Sequence, residues 1–518
     1  MLKKSLAALT VAAAILAPLA AMGQAPPASR PALTVAMPID PQQIDPSTNT
    51  VNVTAIIIQN VFETLYTFDA EWRIQPMLAA EMPTYGDGGK VVTIKLREGV
   101  KFHNGGTMTA ADVVASLARW QKLSVRGRLS AEVTEELRAV DPLTVQFRLK
   151  RPFATLIPMM AFFNAAAAIM PEANAKAAMG GPMTNVADFV GTGPYRLIER
   201  KPDQYVRMVR FDDYSALDRP ASGYAGRRQA LVPELRFVPV PNTTTRVQSI
   251  LSGQYDVADN VPTEFAQRIR QSPNAGALVV KWSGWIQMIM NSREGIAANP
   301  GVRKAVQAAI DPEAILLAAF GSPEFFALTP SIYPEGAPFH STAGSELYNQ
   351  KNPAKAKQLL AAAGYKGETF RILTSQQYDF IYKAALVTAQ NLQEAGFTVD
   401  VQLMDWASVM EQRSNPKIWD AFLTFHNFVP EPSLITFMNP SFPGWWDTPG
   451  KRAALDAFTS TLDQAARAAA WARLQGQLME DAQSITIGNY YALMAHNKRV
   501  TGLQPVLMPP YWNVANPR

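Results

Sequence analysis

Between residues 352 and 425 the spacing of apolar side chains switches repeatedly between the helical and the extended period, and this constrains the fold more than any single motif. Asn352-Pro353 predicts a helix start and Gly364 its end. Tyr378, Ile381, Tyr382, Ala385, Ala389 and Leu392 mark one stripe of a long helix closed by Gly396. Phe397, Val399, Val401 and Leu403 then fall on one face of a strand, a short helix starts at Asp405, and the run 420–425 reads as another strand. Helix and strand alternating through short connections imply βαβ units with a largely parallel sheet. Ligands of such sheets sit beyond the C-terminal strand ends, so the loop after Phe425 is the first place to look.

The upstream half carries a second set of elements. Residues 33–38 form a short apolar strand candidate, while 92–97 and 144–149 alternate strictly and bury Val92, Ile94 and Leu96, then Val145, Phe147 and Leu149. Between them Thr109 and Asp112 make a capping-box variant that opens a helix. No repeat of 20 to 50 residues is present, which removes solenoids and propellers. At 518 residues the chain holds about three folding units. Two lobes containing βα units, with a cleft between them, are the architecture these elements imply.

Composition narrows the function. With 48% hydrophobic and 18% charged residues the chain is globular, and a net charge of +5 is too thin for a nucleic-acid footprint. The absence of cysteine removes disulfides, thiolate metal sites, thiol nucleophiles and the lipid-acceptor residue of a lipoprotein. Four histidines (His103, His340, His426 and His496) are too scattered for a dedicated metal site, and neither a metal nor a cofactor is expected. Residues 1–23 have the basic, apolar and small-residue parts of a cleavable secretory signal, and 24–31 form a Pro-rich flexible leader. No later run of 18 apolar residues follows, so the exported product is expected to be soluble.

The segments 60–120, 191–197 (GTGPYRL), 252–262 (SGQYDVADNVP) and 302–311 (VRKAVQAAID) together resemble the extracytoplasmic solute-binding proteins of the peptide/nickel type, family 5, that feed ABC importers. The resemblance implies a two-lobed periplasmic binding protein fold, class II-like and cluster C, with an extra N-terminal subdomain. Its implied boundaries are 32–50, 185–280 and 492–518 for lobe I, 51–184 for the subdomain and 281–491 for lobe II. Hinge strands are expected near 286–291 and 487–492. The implied protein is a periplasmic monomer that captures a small solute and delivers it to ABC permease subunits served by a separate ATPase. Nucleic acid is not a partner.

The resemblance also implies where the solute sits. In peptide-binding relatives an Asp in the loop after the strand ending at Phe425 pairs with the peptide amine; here its place falls on Phe428 or Val429, which disfavours a free-amine peptide, and Glu431 is the nearest acid. Residues 374–382 also lack the Arg that short-peptide relatives use for a carboxylate. Trp406 matches a cleft-lining Trp, Tyr490 and Tyr491 stand where the chain recrosses between lobes, and His426 and Asn427 share the loop with Phe428. Trp285 and Gln287 lie on the other crossing; because neighbours on a strand face opposite ways, only one of them is expected to bind. Trp445 and Trp446 either cap the ligand or pack, and Asn49 sits near the mouth.

Two rival classes remain distinguishable. A hydrolase would have to draw on Asp379, Asp405 and Glu431, since GxSxG, HExxH, Walker-type and GxGxxG motifs are all missing. A sensory or chaperone protein of the same fold would signal to a receptor instead of a permease.

Overall fold

The computed structural model describes residues 32–517. The predicted signal segment and leader lie outside the described residues. A mixed sheet of eleven strands organises the chain. Along it lie Thr398–Leu403, Thr369–Thr374, Ala421–Asn427, Ala275–Met290, Ser484–Asn497, Val257–Val261, Ala32–Met37, Glu234–Pro239, Tyr205–Arg210 and Tyr195–Lys201, with Phe326–Ala327 pairing off this path. No helix among the described residues is long and apolar enough to cross a membrane.

Thr369–Thr374 pairs in parallel with both Thr398–Leu403 and Ala421–Asn427, and the helix Asp379–Glu394 supplies one crossover. Local chemistry sets the boundaries. Asn352 caps the helix Pro353–Ala362 by accepting the Lys355 N–H at 2.8 Å, and Asp405 caps Trp406–Gln412 by accepting the Ser408 N–H at 2.9 Å. Gly364 and Gly396 follow their helices at φ +78° and +90°, where a side chain would be strained. Phe397 is buried, but Leu403 is 47% exposed, because Thr398–Leu403 is the edge strand and its last residue has no covering neighbour.

A separate antiparallel sheet runs Thr84–Gly86, Val91–Lys95, Thr144–Leu149, Thr134–Asp141. Val92, Ile94, Leu96, Val145, Phe147 and Leu149 are all buried, as their alternation predicts. The helix Ala110–Leu123 begins at the capping box, where the Asp112 carboxylate accepts from both the N–H and the hydroxyl of Thr109 at 2.8 Å. It ends at Ser124, whose hydroxyl accepts the Arg126 N–H and starts the next helix, Val125–Val133. This corner needs glycine at 127, since a Cβ there would lie 1.9 Å from the Trp120 carbonyl oxygen. The tight turn fixes where Arg126 points.

Ala275–Met290 and Ser484–Asn497 pair antiparallel along most of their length and carry the sheet from one half of the chain to the other. Their register slips between Val280 and Gly284 and again between Ile286 and Gln287. Ile286, Met288 and Met290 join the core formed with Ile372 and Leu423; Trp285 and Ile289 enter a second core with Trp419, Phe422 and Trp471 on the other face. Alternation along one strand thus feeds two cores.

Candidate functional site

The strand Ala421–Asn427 sends successive side chains to opposite faces and so divides the predicted residues into two groups. Phe425 packs against Tyr378 (ring centroids 4.9 Å apart), Phe380 (5.3 Å) and Trp406 (5.9 Å). His426 turns the other way and stacks on Trp285 at 5.1 Å with rings 27° apart. Trp285, His426, Asn427 and Phe428 line one cavity of about 200 Å³, together with Thr50, Asn52 and Asn164 from the upstream half. A larger cavity of about 740 Å³ shares Thr50, Arg126, Leu434, Ile435 and Thr436 with it, making a continuous cleft between residues of the upstream half and the segment after the strand. Cavities of this combined size suit a small organic solute.

Phe428 forms a wall of this cleft. It is 1% exposed, lies against Trp72 (4.5 Å) and Tyr333 (5.8 Å), and its N–H donates to the Ser283 carbonyl at 3.0 Å. Trp72 belongs to a further cavity of about 550 Å³, lined also by Trp282 and Lys281. Glu431 is committed internally: its carboxylate accepts from Arg467 at 2.6 and 3.4 Å, and that guanidinium lies over the Phe458 ring at 4.4 Å. Burial pushes the Glu431 carboxyl upward while Arg467 opposes the shift. None of the described residues lining the smaller cavity is acidic.

The three carboxylates a glycosidase would use do not meet. Asp379 pairs with Lys383, Asp405 caps its helix, and Glu431 pairs with Arg467.

Other predicted residues have local partners. Trp406 is half-buried on the Phe425 face and takes no part in lining either half of the cleft. The Tyr490 hydroxyl donates to Asn427 Oδ1 at 3.4 Å, and its ring stacks on Phe320 at 5.6 Å; Tyr491 lies 6.4 Å from Trp282. Asn49 holds its own loop, donating to the Gln43 carbonyl at 3.2 Å and accepting the Val51 N–H at 3.0 Å. Trp446 is buried and its indole N–H donates to Asp481 at 2.7 Å, while Trp445 stacks on Trp419 at 5.8 Å. Trp285 and Gln287 require a correction. Residues two apart on a strand share a face, and here the Trp285 indole donates to Gln287 Oε1 at 3.1 Å.

Arg126, Asn164, Thr50 and Asn52 carry no motif and were not among the sequence candidates. Arg126 is buried; its Nη1 donates to Asn164 Oδ1 at 3.2 Å and its guanidinium sits 5.1 Å from the Phe162 centroid. Asn164 in turn donates to Asn52 Oδ1 at 2.9 Å and to the Thr50 carbonyl. Burial alone pushes the guanidinium down to about 10.

His426 gives the site a pH signature. Burial, with Arg413 adding repulsion, pushes the imidazole down to about 3, and its Nε2 has no hydrogen-bond partner among the described residues. In the unfolded chain the ring takes up a proton near pH ~6.5. Between these values the unfolded state holds more protons, so stability is full above the upper one and is lost as pH falls. By pH ~5 the expected loss is about 2 kcal/mol. His103, pushed down to about 4 mainly by burial, acts in the same direction and persists in a His426→Phe variant. Urea unfolding at several pH values should therefore show a shallower acid loss in His426→Phe than in wild type. Equal slopes would remove His426 from this role.

Comparison with known proteins places this geometry in a family. A probable peptide ABC transporter periplasmic-binding protein of Sinorhizobium fredii is 26% identical over 488 residues, covering 91% of each chain. A glutathione-binding protein of Pectobacterium atrosepticum is 26% identical over 479 residues, covering 89% of this chain and 88% of that one. The structure of the ABC transporter substrate-binding protein CtaP from Listeria monocytogenes is similar with a TM-score of 0.80 at 20% identity, over 92% of this chain and 97% of that chain. The fold is the two-lobed α/β arrangement of periplasmic binding proteins. Residues 73–479 match the family model for the bacterial extracellular solute-binding proteins, family 5 Middle, and the chain belongs to that family.

Proposed function

We propose that this chain is the periplasmic substrate-binding component of an ABC importer, capturing a small solute in the cleft around Trp285, His426 and Asn427 and passing it unaltered to permease subunits driven by a separate ATPase. The observation that carries this reading is the cleft itself. Residues from the upstream half (Thr50, Asn52, Arg126, Asn164) face residues of the downstream half across one cavity, and two long paired strands, Ala275–Met290 and Ser484–Asn497, run between those halves. Bending at the register slips near Val280–Gly284 and Ile286–Gln287 would close the cavity through few dihedrals. The lobes are assigned as 32–50, 185–280 and 492–518 against 281–491, with 51–184 as the subdomain. The names of the relatives support transport of a peptide-like or other polar organic solute.

The test is mass spectrometry of solute released from protein purified without refolding, followed by titration of that compound. The expected result is stoichiometric, saturable binding with the compound recovered chemically unchanged. Turnover of the compound would contradict the proposal.

A further inference from the structure

We propose that the captured solute is an anionic amphiphile: a carboxylate-bearing molecule whose head group is bound by Arg126 and whose apolar chain or ring lies in the larger part of the cleft. This rests on the reading of the cleft as the solute site.

Arg126 lines both parts of the cleft, at their junction. A guanidinium has five N–H donors in a fixed fork. Here one nitrogen is used by protein, for Asn164, and no carboxylate among the described residues pairs with it. Among the other buried arginines, Arg119, Arg228 and Arg467 pair with Asp45, Glu63 and Glu431, while Arg246 and Arg303 are saturated by four and three backbone carbonyl bonds; Arg126 has a single side-chain amide. A buried cation without a counter-charge is costly, and a guest carboxylate offsets that cost with a bidentate, charge-assisted pair. The same charge, with no acid lining the smaller cavity, repels a cationic head group.

The larger cavity supplies the second half of the argument. Leu129, Phe153 and Met159 form one wall; Ile435, Met438 and Phe442 form the other. Leu129 is 43% exposed and its neighbour Val125 50%, apolar surface that a guest would cover. The charged residues on this part, Glu132, Arg151 and Asp456, are exposed to solvent at its rim, in contrast to the buried Arg126.

N-octanoylglycine and its primary amide separate the contributions by calorimetric titration of the full-length protein. The acid is expected to bind about tenfold or more tighter than the amide. Shortening octanoyl to acetyl is expected to cost more than about tenfold, since each buried methylene contributes. In Arg126→Gln the acid-to-amide ratio should fall to about one, and Arg126→Lys, which keeps the charge without the fork, should lie between; thermal midpoints check that both variants fold. A ratio of about one in wild type, an unchanged ratio in Arg126→Gln, tighter binding of octylamine, or no binding of any probe would overturn the proposal. A co-purified neutral solute that still binds saturably would leave the transport reading standing while this inference fails.

Discussion

Glu431→Ala is expected to destabilise the folded chain by about 3–5 kcal/mol, because it leaves the Arg467 guanidinium buried without its counter-charge. Both partners are nearly inaccessible, with side-chain exposures of 2% and 5%, so water cannot replace the lost carboxylate. Arg467 also packs over Phe458 and within 5.4 Å of the Phe339 ring, and it cannot swing outward without disrupting that core. The pair ties the loop that follows Ala421–Asn427 to the helix Gln464–Asp481, so its loss should loosen the wall of the cleft as well. A double replacement, Glu431→Met with Arg467→Met, should recover much of the stability, since replacing both charges avoids an orphan. Urea unfolding measures each variant. A Glu431→Ala chain within about 1 kcal/mol of wild type would show that the pair is solvated.

Trp285→Ala is the second large effect. The indole is 1% exposed, stacks on His426 and donates to Gln287, whose own amide nitrogen already lacks a partner. Truncation opens a void and orphans Gln287 further, at an expected cost of about 3–5 kcal/mol. Because the same ring lines the cleft, solute affinity should fall with stability. Trp285→Phe retains the stack and loses only the N–H, so about 1–3 kcal/mol is expected. Unfolding and titration with the co-purified solute distinguish the two variants; an Ala variant with unchanged stability and affinity would place Trp285 outside both roles.

Much of the scaffold was legible because it is encoded locally. The strand 144–149 follows from alternation, and Asn352, Thr109 and Asp405 mark helix starts through hydrogen bonds to their own next turn. The alternation of helix and strand pointed to the end of the strand through Phe425; the strand runs on to Asn427, and His426, Asn427 and Phe428 line a cavity at its end. Arg126 and Asn164 were invisible for the opposite reason. Their meeting depends on a helix corner enforced by Gly127 and on a loop 38 residues further along the chain, and no spacing rule connects them. Trp445 and Trp446 stood in a turn-rich segment that gave no sign of which partner would bury them; Asp481 and Trp419 decide that from distant helices and loops. Leu403 shows the same limit, since period reveals a face but not whether a neighbour covers it.

Small-angle scattering of the protein with and without the solute identified by mass spectrometry tests the capture mechanism most directly. Closure of the two lobes about the crossing strands requires a smaller radius of gyration at saturation, and substitution of Arg126 or Trp285 should shift the concentration at which it contracts. An unchanged radius at full occupancy would contradict a hinged clamp and leave a rigid binder in its place.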